Sequence, residues 1–165
     1  MSNTSDKDTL LTNPAFEEFC LTVQSIIQTV SEITDLERDK AAAAAQRQHH
    51  LLDGYINQEQ AAMLKLRGFE KKRSQCMEQL GFGQLTFRQI LETVSPQEFE
   101  QLSPLFTKLM EGLKVLTDTK TDTDRLIRSK LRELDLFLSA KNGASYGPDG
   151  KHDLDASGHR KDTYI

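Results

Sequence analysis

Residues 14–33 read PAFEEFCLTVQSIIQTVSEI. Apolar side chains fall at Phe16, Phe19, Val23, Ile26, Val30 and Ile33, at alternating steps of three and four, and Cys20 and Ile27 thicken the seam. That spacing places one apolar stripe along a helix and requires other helices to cover it. Asn13 followed by Pro14 pairs a helix-capping side chain with proline in the first helical position, where its missing N–H costs nothing. Beyond Leu36 the stripe passes into Ala41–Ala45, good helix formers that bury little area.

A second apolar series runs Leu52, Tyr55, Ile56, Met63, Leu66, Phe69, Cys76 and Leu80, and Gly81 suits its C-terminal cap. Gln46–His50 holds no Pro or Gly, yet a turn is expected there. Residues 14–45 carry two basic and six acidic groups and residues 46–80 six basic and four acidic, as suits antiparallel neighbours. The basic cluster Lys65, Arg67, Lys71, Lys72 and Arg73 is therefore read as facing the acidic residues between 17 and 39. After Gly81-Phe82-Gly83, Thr86-Phe87-Arg88-Gln89 fits a capping box for a short helix that closes one end of the bundle. Ser95-Pro96-Gln97-Glu98 combines three start signals for a last long helix, which Pro104 either kinks or restarts.

In that helix Thr117–Arg125 contains no apolar residue and is read as a soft, solvated stretch or a hinge. Apolar residues then return at Leu126, Ile127, Leu131, Leu134, Phe137 and Leu138 and continue the apolar pattern of the helix. Asn142-Gly143 is expected to end the helix. The expected organisation is a flexible arm (1–13), an all-α, elongated antiparallel bundle of three long helices and one short one (14–141), and a disordered tail (142–165).

The 165 residues carry 21 basic and 25 acidic side chains, a net charge of −4 that argues against nucleic acid as a partner. Cys20 and Cys76 form no disulfide framework, and the polar N-terminus lacks the apolar core of a secretory signal, so a cytoplasmic location is expected. The longest uncharged stretch of the helical part, Phe19–Ser31, has 13 residues, too few to span a bilayer. Adjacent His49 and His50 point about 100 degrees apart on a helix and suit shared metal ligation poorly. With no phosphate loop or nucleophile motif, neither a catalytic residue nor a cofactor is expected.

Taken in order, Glu59-Gln60, Leu64-Lys65-Leu66-Arg67-Gly68-Phe69-Glu70-Lys71-Lys72-Arg73, Leu85-Thr86, Leu126-Ile127-Arg128-Ser129-Lys130-Leu131 and Tyr146-Gly147-Pro148-Asp149-Gly150 resemble the FlgN family of flagellar export chaperones over about residues 14–150. The resemblance implies a cytoplasmic bacterial protein that holds hook-associated (hook-filament junction) proteins before export through the flagellar type III apparatus. It implies client binding by Leu126, Ile127, Leu131, Leu134, Phe137 and Leu138, a helix-in-groove mode, although these residues serve equally as bundle core. It also implies docking of Tyr146 on the cytoplasmic domain of the export gate. The polar part of the last helix departs from the family, carrying Thr-Asp repeats where Asn is common. A monomer or weak oligomer is expected. A self-associating coiled-coil scaffold is the alternative, for which the 16–33 seam would serve equally well.

Overall fold

The computed structural model describes residues 10–145, with side chains through residue 141. Within that span the chain is all helical: α1 (Pro14–Ala45), a 3-10 turn (His49–Leu51), α2 (Leu52–Gln79), α3 (Phe87–Thr93) and α4 (Pro96–Ser145). The starts of α1, α3 and α4 are those the sequence marks. Asn13 Oδ1 accepts from the Ala15 N–H at 2.9 Å. Thr86 and Gln89 cap each other reciprocally, at 2.9 and 3.3 Å, and so do Ser95 and Glu98. Pro104 neither restarts nor ends α4, which runs through it. The Glu100 carbonyl that proline leaves without an i+4 donor belongs to an exposed residue, where water can serve it. The helix also continues through Asn142-Gly143 to Ser145, past the boundary expected at Lys141. Residues 1–9 of the expected arm and 146–165 of the expected tail, Tyr146 among them, lie outside the described residues.

The two helix ends between long elements share one device. At Leu80 the Gly81 and Phe82 N–H groups bond back to the Glu78 and Met77 carbonyls, with Gly81 at φ +73°. At Gln46 the Arg47 and Gln48 N–H groups bond back to Ala44 and Ala43, with Arg47 at φ +58°. Both are Schellman caps, which need a left-handed residue after the C-cap. Glycine takes that conformation freely, whereas an L side chain there costs about 1–2 kcal/mol. Arg47→Gly removes this strain while the more flexible unfolded chain takes back about 0.4–1 kcal/mol. A net gain of about 0.5–1 kcal/mol is expected, read as a raised urea midpoint with unchanged slope; a lowered midpoint would contradict the assignment.

The α1–α2 turn makes the two helices antiparallel, and α4 then lies along α1 in the same direction. Lys72 Nζ meets Glu18 at 2.8 Å and Lys65 Nζ meets Glu32 at 3.3 Å, so part of the basic cluster does face the acidic helix. Arg73 instead pairs with Glu70 of its own helix. α1 is the central helix, packed against both α2 and α4. Side chains bridge those two outer helices: Lys120 of α4 reaches Glu59 of α2 at 3.0 Å.

The apolar core sits at the end where α1 begins. Phe16, Phe19, Val23, Ile26 and Val30 of α1 pack with Cys76, Met77, Leu80 and Phe82, with Ile90 of α3, and with Leu102, Phe106 and Leu109 of α4. Phe19 meets Phe82 and Phe106 edge-on, with centroids 6.2 and 6.1 Å apart, and Phe106 stacks on Phe87 at 4.2 Å. The apolar residues of the 16–33 seam are thus covered within the chain.

Candidate functional site

Toward the other end the seam changes character. Its three-and-four spacing continues from Ile33 to Glu37, Lys40 and Ala44, and all three are buried. Lys40 Nζ donates to Glu37 Oε1 at 2.8 Å and to Glu59 Oε2 at 2.5 Å. From α4, Lys120 Nζ donates to Glu59 Oε1 at 3.0 Å and lies 3.5 Å from Glu37 Oε1. Thr123, only 2% exposed, donates its hydroxyl to the Glu37 backbone carbonyl at 3.1 Å. Two carboxylates and two ammonium groups form one layer that joins α1, α2 and α4.

Most of Thr117–Arg125 is exposed, as the solvated reading expects, but Lys120 and Thr123 tie the stretch to α2 and α1. The stretch lacks apolar residues because its inward positions make polar contacts instead. Burial drives the Glu37 carboxyl above its ordinary pKa, reinforced by the neighbouring Glu59, and its Oε2 has no hydrogen-bond partner among the described residues. Burial would also raise Glu59, but interaction with the Glu37 carboxyl and hydrogen bonds from Lys40 and Lys120 outweigh it and hold Glu59 at about 2. Burial works to lower Lys40, yet its two carboxylate partners prevail and raise it.

Beyond the layer α4 outruns its support. Glu37 lies eight residues before the end of α1, whereas Thr123 lies 22 before the end of α4. The difference amounts to about 21 Å of helix at 1.5 Å per residue. Lys120 and Thr123 share a helix face with Ile127, Leu131, Leu134 and Leu138, spaced 3 or 4 apart. The inner face of α4 therefore remains apolar where the hairpin stops. Leu126 and Ile127 are half-buried, while exposure at Leu131, Leu134, Phe137 and Leu138 is 48, 40, 65 and 46%. The structure brings these six residues onto one stretch of helix, and four of them are exposed rather than core. Leu136, 67% exposed on the opposite side, escaped the sequence reading because it falls off the stripe.

At the base of the projection the α1–α2 turn and the stripe border one cavity. Arg47 and His49 line a cavity of about 220 Å³ with Lys130, Glu133, Leu134 and Phe137 of α4. Lys130 pairs with Glu133 at 3.2 Å. Among the described residues no group of His, Cys, Asp and Glu is arranged to hold a metal, and no helix is long and apolar enough to cross a membrane. Burial pushes the Cys20 thiol up to about 11, away from the thiolate that cysteine chemistry requires. What this end can do is offer apolar surface, edged by charge, to another chain.

No curated protein and no solved structure gives a significant match to the chain. Comparison with protein-family models does give one, to FlgN, described as "FlgN protein", over residues 15–153. That match spans most of the chain and includes the core, the polar layer and the projecting helix. With an all-α fold in hand and the match covering four helices, the chain belongs to the FlgN family, a family of flagellar export chaperones rather than of enzymes.

Proposed function

We propose that this protein is a cytoplasmic chaperone that binds terminal helical segments of hook-associated (hook-filament junction) proteins, prevents their premature assembly and delivers them to the flagellar type III export gate. One observation carries the reading: the apolar inner face of α4 continues past the hairpin that covers it, exposed at Leu131, Leu134, Phe137 and Leu138. An amphipathic client helix would cover this face much as α1 and α2 cover its N-terminal continuation. The client then shields the face, and the face shields the client's own assembly surface. Tyr146, next in sequence after Ser145, is the proposed contact with the cytoplasmic domain of the gate. Burial of the 16–33 seam within the chain speaks against the scaffold alternative.

Leu134→Asp with Phe137→Asp tests the client site. Neither residue is core, so helical content and unfolding midpoint should stay near wild type, as for other surface changes. Affinity for a C-terminal segment of a junction protein should fall at least about tenfold, since two apolar contacts become carboxylates that binding must desolvate. Titration calorimetry that shows unchanged affinity in the folded double variant would remove α4 as the client surface.

A further inference from the structure

Arg47 combines two features that its role as a helix cap does not explain. Its backbone sits at φ +58°, a conformation glycine would supply without strain, so the cap alone does not call for arginine. It is an exposed residue that lines the cavity at the base of the α4 projection together with Leu134 and Phe137. The neighbouring Lys130 is engaged by Glu133, whereas no ion pair occupies the exposed Arg47 guanidinium among the described residues. Strain retained at a residue that borders the proposed binding face points to use of its side chain.

We infer that Arg47 is a specificity-determining residue for the protein helix that docks on α4, selecting a segment with carboxylates along the edge facing the α1–α2 turn. This rests on the proposed client site and adds the chemistry of its occupant. A helix seated on Ile127, Leu131, Leu134 and Leu138 at the base of the projection would bring one flank beside Arg47. Guanidinium offers a planar fork of donors that matches a carboxylate, and charge complementarity there fixes the register of an otherwise sliding apolar contact. Arginine fits where the apolar stripe alone would accept any leucine-rich helix.

The test uses two synthetic 20-residue helical peptides with the same leucine face, one with Glu along a flank and one with Gln, titrated into the full chain and its Arg47→Gly and Arg47→Gln variants. Wild type should bind the Glu peptide about three- to tenfold more tightly than the Gln peptide, with the margin shrinking as salt is raised. Both variants should lose the margin and keep the affinity for the Gln peptide. Arg47→Gly is informative because it relieves strain, so weaker binding cannot be laid to poorer folding. A margin retained in both variants overturns the assignment of Arg47 while leaving the apolar site intact. Failure of wild type to bind either peptide overturns the client-site reading itself. Peptide-free self-association that Arg47→Gly abolishes would make a second copy the occupant and overturn the proposal.

Discussion

Lys40→Met is expected to destabilise the protein by about 3–5 kcal/mol, the range for removing one partner from a buried ion pair. Lys40 donates to both Glu37 and Glu59, and the Glu37 side chain is fully enclosed. Without Lys40, Glu37 keeps only Lys120 at 3.5 Å, and a buried carboxylate with so weak a partner must take up a proton or draw in water. The signs with pH then follow from the individual groups. Glu59, held down at about 2, contributes stability that is present above its ordinary value near 4.5 and is lost as pH falls toward 2. Glu37, raised, contributes in the opposite sense: its ionisation opposes folding at neutral pH, and the penalty is relieved as pH falls through its raised value. Raised Lys40 stabilises at every pH below its ordinary 10.5, and that contribution is lost as pH rises through its folded value. The variant's deficit should therefore be largest near neutrality and shrink in acid, where the stranded carboxyl is neutral. Urea denaturation at pH 7 and pH 4.5 measures it; a deficit under about 1 kcal/mol at neutral pH would mean that the layer is solvated.

This layer was legible in part. The heptad seam announces α1, and extending its steps of three and four beyond Ile33 reaches Glu37, Lys40 and Ala44. Charged residues at seam positions are a signal of a buried polar layer, as in coiled coils where one such layer fixes register. In α4 the same steps connect Leu116, Lys120, Thr123, Ile127 and Leu131. Counting apolar residues hides that continuity, because a polar residue on the inward face looks like solvent exposure until its partner is known. The partners lie 61 and 83 residues away, beyond any local pattern.

The capping signals fared better because their chemistry is local. Thr86 with Gln89, and Ser95 with Glu98, need only residues three apart and form as the sequence indicates. Arg47 is the counterexample: nothing in Gln46–His50 marks a left-handed residue, and the Schellman cap forms there although no glycine is available. The stripe from Leu126 to Leu138 was visible as a pattern, but its exposure was not. Exposure depends on where the α1–α2 hairpin stops relative to α4, which is set by packing register and not by α4's own residues.

Phe19→Ala, at the opposite end, is expected to cost about 3–5 kcal/mol and to leave the proposed client binding on α4 unchanged. Phe19 is wholly buried and meets two aromatic rings edge-on, Phe82 beyond the α2 cap and Phe106 in α4. Truncation opens a cavity among rigid neighbours and removes both aromatic pairs, each worth about 0.5–1.5 kcal/mol beyond the area buried. Against a typical total of about 5–15 kcal/mol the variant should remain folded at low temperature but melt well below wild type. From Phe106, at the level of Phe19, to Leu134 is 28 residues of α4, about 42 Å. Sites so far apart, with no shared partners, should act independently. Measured at a temperature where both proteins are fully folded, the variant should therefore match wild type in affinity for a helical client peptide. Reduced affinity in the folded variant would mean that the aromatic end and the projecting helix are coupled through α4. Equal affinity would fit a division of labour along one helix, in which its first half holds the fold and its last turns serve the proposed client site.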